Sequence, residues 1–146
     1  MRVAIGSDHA GFVLKDELRV ELQKWGHTVL DMGCAGTDSA DYPDYAHLVA
    51  AAVLDGRADR GLLVCSTGIG ISIAANRHAG IRCALCHNCD SAYRARTHND
   101  ANVIAFGARY TTFLDARAML QVFLGTHFSG EERHRRRIDH IESCSG

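Results

Sequence analysis

The sequence predicts an α/β protein, a three-layer αβα sandwich built on a Rossmann-like parallel sheet of about five strands. Short runs typical of strands alternate with amphipathic helical stretches along the chain. Repeated β-α units of this kind form a parallel sheet that helices cover on both sides. The run GLLVC at 61–65 is wholly apolar, which is typical of a central strand buried on both faces. Because no repeat or linker divides the chain, we expect a single domain over residues 1–146.

Two β-α units open the chain. Strand one covers 2–5 and ends at Gly6, and the following helix covers 12–25, where apolar residues recur at near-helical spacing. Strand two covers 27–30, and an Ala- and Val-rich helix covers 45–54. The single proline of the chain lies just before that helix, where its fixed φ is harmless.

The remaining units continue the alternation. The apolar strand at 61–65 leads into a helix at 69–77. Beyond it we expect strands at 81–86 and 102–106 and helices at 90–97, 112–124 and 131–143. Ligands of such folds bind at the carboxyl ends of the strands. Polar or glycine-rich residues that directly follow a strand are therefore the first candidates for a site.

The composition is that of an ordinary globular protein. Lys and Arg total 16 and Asp and Glu total 17, so no global charge attracts the chain to nucleic acid or to an anionic membrane. No segment reaches the roughly 18 apolar residues that span a bilayer. The apolar run at the N-terminus is broken by Asp8 and His9 and is too short for a secretion signal. We therefore expect a cytoplasmic protein with six free thiols.

The segment CSTGIG at 65–70 joins the apolar strand to a helix. Its glycines let the backbone approach a ligand closely, and the first amides of the helix favour negative charge there. The same field favours the thiolate form of a nearby cysteine. A thiolate beside an anion-binding loop is suited to proton abstraction with enolate stabilisation. A tight βα turn with a buried cysteine explains the same residues without any chemistry.

Two other interpretations of glycines and cysteines are disfavoured. Gly68 and Gly70 lack the third glycine of a dinucleotide fingerprint, and no Gly-Lys-Ser/Thr follows for a nucleotide loop. The spacing of Cys83, Cys86 and Cys89 resembles part of an iron–sulfur or zinc set. On a strand, however, an offset of three puts the first two thiols on opposite faces. We therefore predict neither a metal nor a cofactor.

Three further groups are candidates for ligand binding. Asp8 and His9 follow strand one, although Asp8 is also a plausible helix cap and position 9 shows no structural need for histidine. Arg133 and Arg137 are four apart on one helix face and suit a phosphate dianion. A solvated basic face explains them equally, while flanking acidic residues argue against a nucleic-acid stripe.

A histidine and an asparagine end the helix before strand five. His98 could act as an acid or base near neutral pH, and Asn99 could donate a hydrogen bond to a developing oxyanion. A histidine that merely complements the helix dipole is the alternative.

Seven motifs in order resemble one family. They are GSDHAG at 6–11, DYPDYA at 41–46, CSTGIG at 65–70, AAN at 74–76, GIR at 80–82, HNDANV at 98–103 and RHRRR at 133–137. This order is similar to that of the ribose-5-phosphate isomerase B family, which includes allose-6-phosphate and galactose-6-phosphate isomerases. The resemblance extends from residue 2 to about residue 138.

The resemblance implies a cofactor-free aldose–ketose isomerase of the pentose phosphate pathway. Ribose 5-phosphate and ribulose 5-phosphate would interconvert through a cis-enediolate. Cys65 would be the base that moves the proton between C1 and C2, Thr67 would orient the thiol, and His98 would open the sugar ring. One branch of the family uses a glutamate just after the second glycine, but this chain has Ile71 there.

The resemblance also implies substrate-binding residues and a partner. The residues expected to bind substrate are Asp8, His9, Tyr42, Ser66, Gly68, Ile69, Gly70, Asn99, Arg109, Arg133 and Arg137. Family sites are shared across a homodimer, with His98, Asn99 and Arg109 reaching in from the partner, and two dimers can pair as a tetramer. A six-carbon sugar phosphate, a non-catalytic phosphosugar-binding module and a nucleotide-dependent oxidoreductase are the alternative functions.

Overall fold

The computed structural model describes residues 1–144. Five strands form one parallel sheet in the order β2-β1-β3-β5-β4. The strands are β1 (Arg2–Ser7), β2 (Thr28–Asp31), β3 (Arg60–Cys65), β4 (Cys83–Leu85) and β5 (Val103–Gly107). The helices are α1 (Phe12–Lys24), α2 (Tyr42–Leu54), α3 (Ile69–Asn76), α4 (Cys89–Asn99), α5 (Phe113–Gly125) and α6 (Glu132–Ser143). The predicted α/β class and parallel sheet are confirmed.

Two apolar layers enclose the sheet. Helices α1 and α5 bury leucines and a phenylalanine on one face together with alanines of α4, and the alanine-rich helices α2 and α3 cover the other. Along β3, Leu62 and Val64 belong to the first layer, whereas Leu63 and Cys65 belong to the second. The central strand is therefore buried on both faces, as its apolar run predicts.

Strand β4 is shorter than the predicted 81–86. At its start, two backbone amides donate hydrogen bonds to asparagine side chains. Asn102 Oδ1 accepts from Arg82 N at 2.9 Å, and Asn76 Oδ1 accepts from Cys83 N at 2.7 Å. Helix α2 begins at Tyr42, three residues before the predicted start, because Pro43 fits the first turn of a helix.

The cysteines around β4 lie on opposite faces, as the sequence predicts. Cys83 packs against the layer of α2 and α3, and Cys86 lies in the layer of α1, α4 and α5. Burial raises the pKa of both thiols, and that of Cys86 reaches about 11. Within residues 1–144, no three His, Cys, Asp or Glu side chains are grouped closely enough to hold a metal ion. None of the helices in this part of the chain is both long and apolar enough to cross a membrane.

Candidate active site

The ends of β1, β3 and β5 meet at the carboxyl edge of the sheet. The register pairs Ser7 with Val64 and Cys65 with Gly107, so the loops that follow these strands are neighbours. Arg109 N donates to Ser66 O at 2.9 Å, which joins the loop after β5 to the loop after β3. The residues expected after strands one and three therefore lie together at this edge.

Cys65 ends β3 directly beneath the N-terminus of α3. Its side chain is 4% exposed, and its Sγ accepts a hydrogen bond of 3.1 Å from the Gly68 amide. Gly68 has φ +76°, and a Cβ there would lie 2.5 Å from Leu85 Cδ1 and 2.9 Å from Gly107 N. Only glycine fits this turn, and the turn aims an amide at the sulfur. A donated hydrogen bond and the positive end of a helix both stabilise negative charge on that atom.

Thr67 does not make the contact that the resemblance implies. Its Oγ1 accepts from the Ile69 amide at 3.2 Å, and the hydrogen bond that orients the Cys65 thiol comes from Gly68 instead. The amides of Gly68 and Ile69 are thus already engaged by atoms of the loop itself. To bind an enediolate, these two amides would first have to release their present acceptors, Cys65 Sγ and Thr67 Oγ1.

Tyr42 lies against the same loop. A Cβ on Gly70 would lie 2.5 Å from Tyr42 Cζ and 2.7 Å from its Oη, so the absence of a side chain at position 70 makes room for the phenol. The tyrosine is 39% exposed, which leaves part of the ring open to a ligand. Tyr42 therefore contacts the CSTGIG loop, and its place in the substrate pocket stays a prediction.

Asp8 and His9 both hold the backbone around the site. Asp8 is buried, and its Oδ1 accepts from the Gly11 amide at 3.0 Å. His9 Nδ1 lies 3.1 Å from the Ala40 amide nitrogen and 3.3 Å from the Ala40 carbonyl oxygen, so the ring is tied to the backbone at Ala40. The histidine therefore does have a structural role, contrary to the sequence interpretation. That interpretation missed the role because Ala40 is 31 residues away in an irregular loop.

Lys15 is a supporting residue that the sequence analysis missed. It is 1% exposed, and its Nζ donates to Asp31 Oδ1 at 2.7 Å and to Cys34 O at 2.8 Å. These bonds fasten the start of the loop that later supplies the Ala40 amide to His9. A signal was present, because position 15 lies between Leu14 and Leu18 in the helix with the predicted apolar face.

His98 and Asn99 lie at the opposite, amino edge of the sheet. They end α4 just before β5 begins, and Asn99 O accepts from Arg82 Nε near the start of β4. The four residue steps of β5 separate the two edges by about 13 Å at 3.3 Å per residue. Within one chain, His98 therefore does not meet Cys65.

Helix α6 begins beside His98. Ser129 N donates to Thr97 O at 3.2 Å, and the rings of His98 and His134 stack with centroids 4.2 Å apart. Arg133 and Arg137 are exposed at this end, and Arg133 Nε pairs with Glu131 at 2.9 Å.

The expected site residues thus form two groups. The carboxyl-edge group comprises Asp8, His9, Tyr42, Cys65 to Gly70 and Arg109, and the amino-edge group comprises His98, Asn99, Arg133 and Arg137. The resemblance groups Arg109 with His98 and Asn99. In the structure its backbone instead bonds to Ser66 of its own chain, because Arg109 follows the end of β5 rather than its start.

Comparisons with known proteins show which family the chain resembles. A family model described as Ribose/Galactose Isomerase matches residues 3–141. The ribose-5-phosphate isomerase B of Escherichia coli is 44% identical over 140 residues, covering 96% of this chain and 93% of that protein. The D-erythrulose-4-phosphate isomerase of Pectobacterium atrosepticum is 43% identical over 131 residues, covering 89% of this chain and 86% of that protein.

A solved structure, that of ribose-5-phosphate isomerase B from Clostridium thermocellum, is similar with a TM-score of 0.97 and 44% identity. The similarity covers 99% of this chain and 97% of that one. The family resemblance of the seven motifs is confirmed, and the strand-end cysteine lies within the matched region. On this evidence the chain belongs to the Ribose/Galactose Isomerase family.

Proposed function

We propose that the protein is a sugar-phosphate isomerase that interconverts ribose 5-phosphate and ribulose 5-phosphate without a cofactor, in the pentose phosphate pathway. The observation that carries this proposal is the buried Cys65 thiol, whose Sγ accepts a hydrogen bond from the Gly68 amide at the N-terminus of α3. Support comes from the Escherichia coli and Clostridium thermocellum relatives, whose names state this activity and which match over nearly the whole chain.

The proposed reaction begins with the closed sugar. His98 donates a proton to the ring oxygen as the bond between C1 and that oxygen breaks, and the anomeric hydroxyl gives its proton to water, which yields the acyclic aldehyde. The Cys65 thiolate then removes the proton from C2, and the electron pair forms a C1=C2 double bond while O1 takes the negative charge. The proton of the O2 hydroxyl passes to O1, and the Cys65 thiol returns its proton to C1 as C2 becomes the ketone carbon. The helix N-terminus, the Ser66 and Gly70 amides and Asn99 would stabilise the cis-enediolate between these steps.

We further propose that a second copy of the chain completes each site. Because His98 and Cys65 lie at opposite edges of one sheet, a site that uses both needs the amino-edge group of another subunit. A homodimer with two shared sites satisfies this requirement, and a pair of such dimers does so equally. Six free cysteines suit a reducing compartment, so we propose the cytoplasm as its location.

The number of carbons in the substrate is tested by comparing several sugar phosphates. The family name includes galactose, and one relative at 43% identity is named for a four-carbon phosphate. We expect the rate with ribose 5-phosphate to exceed the rates with allose 6-phosphate, galactose 6-phosphate and D-erythrulose 4-phosphate, all measured after exhaustive chelation. A faster six-carbon or four-carbon substrate would reassign the substrate. Binding without turnover of any of them would indicate a phosphosugar-binding module.

The arginines of α6 give a matched test of phosphate binding. Arg137→Ala is expected to weaken the binding of phosphorylated substrate about tenfold to a hundredfold, because one or two lost charge-assisted hydrogen bonds reduce affinity by this amount. Arg135→Ala removes the same charge but should change the substrate KM little, because Arg135 donates to Gly130 O at 3.0 Å and lies over the Phe128 ring.

Steady-state kinetics on both arginine variants checks this contrast. Equal losses at Arg135 and Arg137 would mean that the segment acts as a diffuse basic patch. An unchanged KM in Arg137→Ala would mean that the phosphate binds elsewhere, with the loop at Gly68 as the next candidate.

A further inference from the structure

A second histidine lies against the proposed ring-opening acid. His134 is 4% exposed, and its ring stacks on that of His98 with centroids 4.2 Å apart and planes inclined by 17°. It is the only residue of α6 (Glu132–Ser143) that is buried. Every other position of this polar helix is at least partly open to solvent, so the most deeply buried side chain of α6 is the one that contacts His98.

The buried position is chemically unusual for a histidine. The Nε2 atom of His134 is buried and has no hydrogen-bond partner among the described residues. A buried polar atom without a partner costs free energy that a phenylalanine would not incur. The buried imidazole therefore costs some stability at this position. What the ring does provide is a flat face against His98.

The surroundings disfavour the charged form of His134. Burial lowers its pKa below the ordinary value, and the neighbouring His98, Arg133 and Arg137 lower it further, while Glu131 alone acts in the opposite direction. These are the titratable and charged groups that face it from α4, from α6 and from the residue before α6. A neutral ring can lie against a protonated one, whereas two imidazolium rings at this separation would repel.

We propose that His134 is a positioning residue for His98: the stacked ring of His134 fixes the plane in which the His98 imidazole meets the sugar ring oxygen. This role rests on the proposed isomerase function and concerns only the ring-opening step. Ribose 5-phosphate is a closed furanose and needs that step. Ribulose 5-phosphate is acyclic, because its C5 oxygen carries the phosphate and cannot close a five-membered ring on C2, and it needs no opening.

The kinetic test compares two replacements of one ring. His134→Leu fills the space without a flat face, and we expect kcat from ribose 5-phosphate to fall about tenfold to a hundredfold, as small misplacements of catalytic groups do. The kcat from ribulose 5-phosphate should stay close to that of the wild type. His134→Phe keeps a flat ring, so its kcat from ribose 5-phosphate should recover most of what the Leu variant loses. The outcome against the proposal is a His134→Leu enzyme with normal kcat from ribose 5-phosphate, or a Phe variant as impaired as the Leu variant.

A second measurement does not depend on activity. In NMR spectra of the wild type, the His98 ring protons should show the upfield shift that a stacked ring causes, and His134→Leu should abolish it. An unchanged His98 spectrum would overturn the stacking role. If the wild-type protein turned over neither sugar phosphate, the proposed function would fail instead, while this spectroscopic contact could still be found.

The pH dependence of stability supplies a third readout. The unfolded chain binds a proton at His134 with a pKa of about 6.5, whereas the folded chain resists that proton. The unfolded state therefore binds more protons as the pH falls below that value, and the folded state loses stability. His134→Phe lacks this loss, so its melting temperature should fall less than that of the wild type between pH 7 and pH 5. Parallel curves would contradict a neutral, buried His134.

Discussion

Cys65→Ala is expected to lower the turnover of ribose 5-phosphate by about 10²–10⁴-fold, the span that a positioned base contributes. Substrate affinity should change little, because the thiol acts on a carbon-bound proton and is not assigned any part in phosphate binding. Steady-state kinetics gives the loss in turnover, and calorimetric titration with substrate shows whether binding survives. Near-normal turnover would remove Cys65 from the role of base.

The chain offers a matched control for this substitution. Cys86 is also buried, its Sγ donates to Ala84 O at 3.7 Å, and burial raises the pKa of its thiol to about 11. Cys86→Ala therefore deletes a similar thiol from a similar apolar setting, but from the face of the sheet opposite to Cys65. It should retain the wild-type kcat. A comparable loss in both variants would point to general damage from cavity formation rather than to a missing base.

Mixing two inactive variants is expected to restore activity. If each site combines Cys65 of one subunit with His98 of another, a dimer of one Cys65→Ala chain and one His98→Asn chain contains one doubly altered site and one intact site. Random exchange in an equimolar mixture makes half of the dimers mixed, so about a quarter of wild-type activity should return. The measurement is the kcat from ribose 5-phosphate after the two proteins are unfolded and refolded together.

The control for this experiment places both changes in one chain. A double variant of Cys65 and His98 leaves no intact site in a dimer with the wild type, so in an equimolar mixture only the quarter of dimers that are wild-type homodimers should be active. If the two single variants stay inactive after joint refolding, the site lies within one subunit or His98 is not part of it. Size measurement on the refolded mixture separates these outcomes from a failure to associate.

Much of the architecture could be predicted because it follows from local pattern. The apolar run of β3 predicts a central strand, and the structure buries Leu62 and Leu63 on opposite faces of the sheet. The position of Cys65 at the strand end follows from the same run. The separation of His98 from Cys65 could have been predicted too, because a helix that precedes a parallel strand must end at the amino edge.

The details that could not be predicted depend on contacts between distant segments. The bond between His9 and Ala40 needs the path of an irregular loop, and the Tyr42 ring on Gly70 needs the packing of α2 against α3. The stack of His134 on His98 depends on where α6 lies after the last strand, which no rule of strand order fixes. Strand propensity also predicted β4 too long. At the start of β4 the Cys83 amide bonds to the Asn76 side chain rather than to a neighbouring strand.

The buried lysine of α1 gives this protein an internal reporter of its own opening. The chain contains two lysines, Lys15 and Lys24, and their side chains are 1% and 65% exposed. An amine-reactive acylating reagent will modify Lys24 directly, but it reaches Lys15 only when α1 separates from the sheet and the bonds to Asp31 and Cys34 break. The ratio of the two labelling rates therefore measures the free energy of that opening. Mass spectrometry of the native protein can follow it without any engineered probe.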